Sequence, residues 1–155
     1  MLEIERKFLV SNVTACLNSA TASFPIFQGY ISIDPARTVR LRIQDNTAFL
    51  TIKGASSADG TTRVEWEKQI VLDEANALLP LCLQGSIQKT RYHVSFNGNI
   101  FEVDVFDKEL QGLVLAEIEL ENPNQKFELP DWIGAEVTGD KRYYNSYLSQ
   151  HGMPN

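Results

Sequence analysis

The sequence predicts a mainly β fold (α+β), in which about eight strands can close into a barrel with a few flanking helices. Three observations carry this. Apolar and polar residues alternate with period two through most of the chain, as in strands with two different faces. Segments with helical spacing are few. The polar faces carry charges of one sign at a time, and a closed sheet would gather them into one interior.

In the first strand Glu3, Glu5 and Lys7 alternate with Leu2, Ile4 and Phe8, and Arg6 interrupts the apolar side. Residues 12–20 are a helical candidate. Residues 25–33 form the next strand, with Tyr30 near its middle. Arg40 and Arg42 then alternate with Val39, Leu41 and Ile43, and a turn at Asp45-Asn46 leads to a partner strand over residues 49–53. The stretch 54–62 (GASSADGTT) reads as a flexible loop. Glu65, Glu67 and Gln69 alternate with Val64, Trp66 and Ile70. A helix over residues 74–83 can be capped by Asp73, with Glu74 in its first turn and Gly85 past its end; Pro80 would shorten or kink it. Lys89, Arg91 and His93 alternate with Thr90, Tyr92 and Val94. Asn97-Gly98 is a hairpin turn into residues 100–106, where Glu102 and Asp104 alternate with Phe101, Val103 and Val105. Glu117, Glu119 and Glu121 alternate with Ala116, Ile118 and Leu120, and residues 140–150 are a last helical candidate.

With 155 residues and no linker, repeat or low-complexity stretch, residues 1–155 read as one domain with a real core. The net charge of −6 disfavours nucleic acid and anionic membranes as partners. No apolar run reaches membrane-spanning length. The start, MLEIERKFLV, is charged from residue 3 and is not a secretory signal, so the expected location is the cytoplasm. Cys16 and Cys82 fit no zinc or redox spacing and read as small apolar residues. Two histidines, His93 and His151, are too few for a His-based metal site, so any metal would be held by carboxylate oxygen, which favours Mg²⁺ or Mn²⁺.

Taken singly, each charged face could simply look at water. As a set they are segregated: Arg40/Arg42 and Lys89/Arg91 are paired bases, while Glu3/Glu5, Glu65/Glu67 and Glu117/Glu119 are paired acids. Like charges at i and i+2 of a strand lie roughly 7 Å apart, which is unfavourable without a counter-ion. Closure into a barrel would place both kinds of cluster in one lumen. Carboxylates there would collect a hard divalent cation, and arginine or lysine would collect phosphate oxygens. A metal-bound polyphosphate needs both.

Glu3-Ile4-Glu5-Arg6-Lys7-Phe8 resembles the Glu-x-Glu-x-Lys signature of the CYTH, or triphosphate tunnel metalloenzyme, superfamily. Arg40-x-Arg42, Lys53, Glu65-x-Glu67, Lys89-x-Arg91, Asp104 and Glu117-x-Glu119 fall in the family's order, so the resemblance runs from residue 1 to about 145. It implies an eight-stranded antiparallel β-barrel forming a tunnel, triphosphate-containing ligands, and dependence on Mg²⁺ or Mn²⁺. By position it implies Glu3, Glu5 and Glu119 as metal carboxylates, with Glu117 and Asp104 nearby and able to serve a second metal. It implies Lys7, Arg40, Arg42, Lys53, Lys89 and Arg91 as phosphate-binding bases. Glu65 and Glu67 would orient neighbouring groups or activate water. Asp140-Lys141-Arg142 resembles a family segment in which Lys141 or Arg142 would complete the phosphate shell. Gln28-Gly29-Tyr30 is similar to the short bacterial tripolyphosphatase-type members, where a tyrosine placed like Tyr30 works beside the signature lysine, here Lys7; an aromatic lining the barrel wall is its plainer role.

These expectations make the chain a hydrolase of a terminal phosphoanhydride, with inorganic tripolyphosphate as first substrate and ATP or thiamine triphosphate as others. The alternatives are a class IV-type adenylate cyclase, for which no adenine-reading residues stand out, and a polyphosphate or nucleotide sensor that binds without turnover. A lipocalin-like carrier would need an apolar lumen. Trp66, Tyr92 and Tyr144 could support a homodimer by facing outward, or serve core packing or helix contacts.

Overall fold

A computed structural model describes all residues, 1–155. The strands are β1 (Leu2–Val10), β2 (Ala20–Ser32), β3 (Arg37–Gln44), β4 (Thr47–Gly54), β5 (Thr62–Ile70), β6 (Ile87–Phe96), β7 (Asn99–Phe106), β8 (Val114–Glu119) and β9 (Ile133–Glu136). Three short helices flank them: α1 (Val13–Asn18), α2 (Leu72–Leu78) and α3 (Asn145–His151). The strand order is β5-β4-β3-β2-β6-β7-β8-β1, and a further β1–β5 pairing closes the eight strands into an antiparallel barrel. β1 serves two neighbours on one edge. Leu2, Glu3 and Ile4 pair with β5, and beyond that point Phe8 and Val10 pair with β9. No helix is long and apolar enough to cross a membrane.

The barrel is packed mostly on its outside. Phe8, Val94, Phe101, Val103, Ala116 and Ile118 point outward and are covered by Cys16 of α1 and by Leu120 and Trp132 of the segment before β9. Trp132 meets Phe101 edge-on at 5.4 Å. A second cluster lies on the inward side of β6, β7 and β8, where Ile87, Phe106 and Leu115 join Val137 and Leu148 of α3 to close one end of the barrel, and a third, outside, sets Ala75 of α2 on Leu41 and Ala48. Burial of these faces fixes the register, because a one-residue slip would turn every charge outward.

Most elements fall where the period-two reading puts them, and the departures are local. The helix after β5 starts at Leu72 and is capped at Val71, rather than starting at residue 74 with Asp73 as its cap. Glu74 reaches back to accept from the Val71 N–H, and Asp73 lies inside the first turn. Pro80 ends regular helix, and residues Leu79–Leu81 tighten into a 3-10 turn. β2 begins five residues earlier than residue 25, because Ala20–Phe24 pair with β6. The final helical candidate splits into a 3-10 turn, Lys141–Tyr143, and α3. The 54–62 loop is cross-linked rather than loose: Asp59 accepts from the Ser57 hydroxyl and from the N–H and hydroxyl of Thr61. Of the three aromatics open to a dimer role, Tyr92 packs against the outer core and Tyr144 lines the interior, while Trp66 is the exposed one.

Candidate functional site

Alternation along the strands sends one charged set into the lumen, a cavity of about 390 Å³. Glu3, Glu5 and Lys7 of β1, Tyr30 of β2, Arg40 and Arg42 of β3, Lys53 of β4, Glu65 and Glu67 of β5, Lys89 and Arg91 of β6, and Glu117 and Glu119 of β8 all line it. Sequence positions 3 and 119 thus share one wall system.

Each base has a definite partner. Lys53 Nζ donates to both oxygens of Glu3, at 2.7 and 2.8 Å, and lies 3.1 Å from Glu65. Lys7 Nζ is 3.1 Å from Glu117 and donates to the Tyr143 carbonyl. Arg40 and Arg42 reach Glu67 at 3.3 and 3.5 Å, and Thr51 donates to the same carboxylate at 2.6 Å. Yet the Nε atoms of Arg40 and Arg42 are buried without any acceptor. Native proteins rarely leave buried donors unpaired, so these two stand out in the wall of the lumen. Burial, then neighbouring Arg40, brings the Arg42 guanidinium down to about 10.

Asp104 is the most enclosed of the acids. Arg91 Nε and Nη2 donate to its two oxygens at 2.7 and 2.9 Å, and Lys89 Nζ donates at 2.6 Å. Against the upward push of burial, Arg91 and Lys89 hold it at about 2. Asp104 is 1 % exposed and does not line the cavity, so its oxygens are spent on orienting two bases. That differs from the metal role the resemblance implies. Burial also lowers Lys89, to about 8 despite Asp104.

Glu5 and Glu119 are the exception among the acids, because neither has a base partner. They face each other directly across the β1–β8 ladder, and like charges so placed repel. Burial, then Glu117 and Glu3, pushes Glu5 up to about 8; burial, then Glu102 and Glu3, raises Glu119. No three acidic, histidine or cysteine side chains converge as a ready-made metal cluster. The reason is visible in the pairing: Glu3, Glu117 and Asp104 are drawn to bases. Two unpartnered carboxylates beside free phosphate-binding donors nevertheless suit Mg²⁺ or Mn²⁺, since Mg²⁺ is commonly held by one or two carboxylates together with substrate phosphates.

Lys141 and Arg142 are not brought into the tunnel. Lys141 lines a neighbouring cavity, and Arg142 is turned to the surface by Asp140, 2.6 Å away. The structure adds residues that alternation did not single out. Arg63 lies one step before Glu65 on the same face and donates to Glu3, so extending that strand would have found it. Asn145 had no periodic signal. Its Oδ1 accepts from Lys89 at 3.0 Å and from Gln28 Nε2 at 3.1 Å, and Gln28 also donates to the buried Tyr30 hydroxyl. The segment Tyr143–Ser146 therefore crosses one end of the barrel, at Lys7 and Lys89. By the register, Phe24, Phe49, His93, Glu102 and Glu119 ring the other end.

The family model for the CYTH domain matches residues 1–146. An inorganic triphosphatase of Acetivibrio thermocellus is 45% identical over 154 residues, covering 99% of this chain and 96% of the relative. An inorganic triphosphatase of Nitrosomonas europaea is 38% identical over 154 residues, covering 96% and 97%. The crystal structure of an inorganic triphosphatase superposes with a TM-score of 0.64 at 35% identity, over 95% of this chain and 93% of that one.

Proposed function

This chain belongs to the CYTH domain family, and from that premise we propose that it is a metal-dependent triphosphatase that hydrolyses inorganic triphosphate, releasing phosphate. The observation that carries the reading is the pair of buried, unpartnered guanidinium N–H groups of Arg40 and Arg42 in the same lumen as the unpartnered Glu5 and Glu119. The two arginines share one carboxylate, Glu67, and keep unpaired Nε–H groups, while Glu5 and Glu119 lack a cation. A metal–triphosphate supplies both acceptor and cation, and the names of the relatives agree with this substrate.

In this reading Lys7, Arg40, Arg42, Lys53, Lys89 and Arg91 hold the triphosphate along the lumen, with arginine forks and lysine point charges dividing the phosphate oxygens. Asp104 and Asn145 keep Lys89 and Arg91 aimed. Glu5 and Glu119 would hold Mg²⁺ or Mn²⁺, with Glu3 beside them. When bound, the metal offsets charge on the phosphate oxygens and lowers the pKa of a water. Lys7 would stabilise the bridging oxygen as it leaves, and Tyr30 would orient groups beside it. Water oxygen adds to the terminal phosphorus, the bond to the bridging oxygen breaks, and a water proton passes to solvent. The chain's contribution is position and charge, as is general for phosphoryl transfer.

The test is direct. Purified protein with Mg²⁺ or Mn²⁺ is given tripolyphosphate, ATP or thiamine triphosphate, and phosphate, pyrophosphate and cyclic AMP are measured. Metal-dependent phosphate release from tripolyphosphate is expected. Cyclic AMP with pyrophosphate from ATP would make the protein a cyclase, and tight binding with no turnover would make it a sensor.

A further inference from the structure

We propose, on the triphosphatase reading above, that Arg63 is a further phosphate-binding residue of the tunnel, backed by the Tyr144 ring at the end crossed by the C-terminal segment. It is a base that the paired-charge pattern of the sequence passes over, and it carries a role beyond the ion pair it makes.

Arg63 lies on β5 directly opposite Glu3 of β1, at the seam where the barrel closes. It lines the lumen, with its side chain 20 % exposed. The plain role of an arginine there is to pin the seam through Glu3. Its contact is poorly made for that. Only Nε reaches Glu3, at 3.3 Å, whereas Lys53 donates to both Glu3 oxygens at 2.7 and 2.8 Å. Charge-assisted N–H bonds to a carboxylate are ordinarily about 2.7–2.9 Å long, and arginine commonly meets a carboxylate with two parallel N–H groups. Arg63 does neither. The bond from Nε is its one side-chain hydrogen bond, so both Nη groups are without an acceptor. Arg91 shows the contrast, since its Nε, Nη1 and Nη2 are all spent on Asp104 and Glu102. A planar fork left free in the wall of a lumen rich in bases suits the oxygens of a phosphate.

The second observation is what stands behind the guanidinium. Arg63 Cζ lies 5.6 Å from the centre of the Tyr144 ring, and Lys7 Nζ lies 5.7 Å from the same centre. Each cation is attracted to the ring. The two cations repel each other, and an anion shared between them would relieve that repulsion. Lys7 is the signature lysine, so Arg63 stands one aromatic ring away from a base already given to the triphosphate. The ring itself is well anchored. The Tyr144 N–H donates to the Lys141 carbonyl at 3.1 Å, its carbonyl accepts from the Leu148 N–H at 2.9 Å, and its hydroxyl donates to Ser56 at 3.4 Å. Tyr144 is therefore a positioning residue, which keeps Arg63 and Lys7 at one end of the lumen.

The experiment separates phosphate from metal. Calorimetry measures Kd for tripolyphosphate in metal-free buffer and, separately, for Mn²⁺ without any anion, on the full chain and on Arg63→Ala, Arg63→Lys and Tyr144→Leu. Phosphate release from tripolyphosphate is followed with Mg²⁺. Arg63→Ala should weaken tripolyphosphate about tenfold, in Kd and in KM. Its Mn²⁺ affinity should stay within about twofold or tighten, because a cation has been removed from beside Glu3. Arg63→Lys, which keeps the charge and loses the fork, should fall between Arg63→Ala and wild type, and Tyr144→Leu should weaken tripolyphosphate by less than Arg63→Ala does. If Arg63→Ala does not fold, Arg63→Gln carries the same comparison. A tripolyphosphate Kd within twofold of wild type, or an Mn²⁺ Kd raised as much as that of the anion, would overturn the proposal and leave Arg63 a holder of Glu3. If the wild type binds tripolyphosphate without hydrolysing it and Arg63→Ala still weakens that binding, the triphosphatase reading fails and Arg63 stands. If the wild type hydrolyses tripolyphosphate and Arg63→Ala binds it equally well, Arg63 fails alone. No binding of tripolyphosphate by the wild type would overturn both.

Discussion

At Glu5 the fold holds a carboxyl between Glu3, Glu117 and Glu119 with no base of its own, and its titration at about 8 records the cost. Glu5→Gln should lose metal-dependent turnover of tripolyphosphate by about a thousandfold, the rate equivalent of a few kcal/mol of lost charge stabilisation. It should also melt at or above the wild-type temperature in chelator. The pH sign is fixed. A carboxyl whose folded value lies above its ordinary 4.5 binds protons more tightly when folded, so it destabilises as pH rises from about 5 to 8. The variant's advantage should widen across that window, and calorimetric melting at several pH values checks it. Asp104 behaves oppositely, because its charge is needed. Asp104→Ala leaves buried Lys89 with no carboxylate partner and Arg91 with Glu102 alone, and urea unfolding should show a loss of about 3–5 kcal/mol. A loss under about 1 kcal/mol, with weakened Mn²⁺ binding, would return Asp104 to the metal. Alternation legibly placed both acids on the charged face. It could not say that one would be tied up by two bases and the other left free, because that depends on cross-strand neighbours.

Among the elements, the turns separate local from tertiary control. Gly98, in the β6–β7 turn, and Gly60, in the β4–β5 loop, have nearly the same backbone, with φ of +80° and +76°. A Cβ on Gly98 would meet nothing within 4 Å, whereas one on Gly60 would lie 2.2 Å from the Gly139 Cα. Gly98→Ala should therefore cost only about 1–2 kcal/mol for the left-handed conformation. Gly60→Ala should cost about 1–3 kcal/mol more and speed hydrogen exchange across residues 55–61. Equal costs in urea unfolding would mean that the loop does not lean on residue 139. The Asn97-Gly98 turn was plain in the sequence because its dipeptide encodes its geometry. The 54–62 loop read as flexible because its stiffness comes from hydrogen bonds and a contact 79 residues away in sequence. β9 went unread for a similar reason. Its four residues, Ile133–Glu136, are too few to show a period, and they form a strand because β1 offers them an edge.

On the scale of the whole molecule, most of the apolar core lies outside the barrel, and the lumen holds the repulsion between the facing carboxylates Glu5 and Glu119. Binding should relieve it. Metal with tripolyphosphate at about 100 times its Kd should stabilise the folded state by about 2.7 kcal/mol, or roughly 5–10 °C in melting temperature for a chain of this size. Tripolyphosphate and metal given separately should each do less, and equal shifts for all three additions would count against a shared site.

The sequence by itself determined which side chains face the lumen, and with them the barrel and the chemistry it suits, because an extended chain turns successive residues to opposite faces whatever lies around it. Only the tertiary structure decided which of those charges are free to act. Closure of β1 on β5 put Lys53 against Glu3, and the C-terminal segment brought Asn145 to Lys89. Those partners come from register, closure and the docking of distant segments, and no local pattern along the chain carries that information.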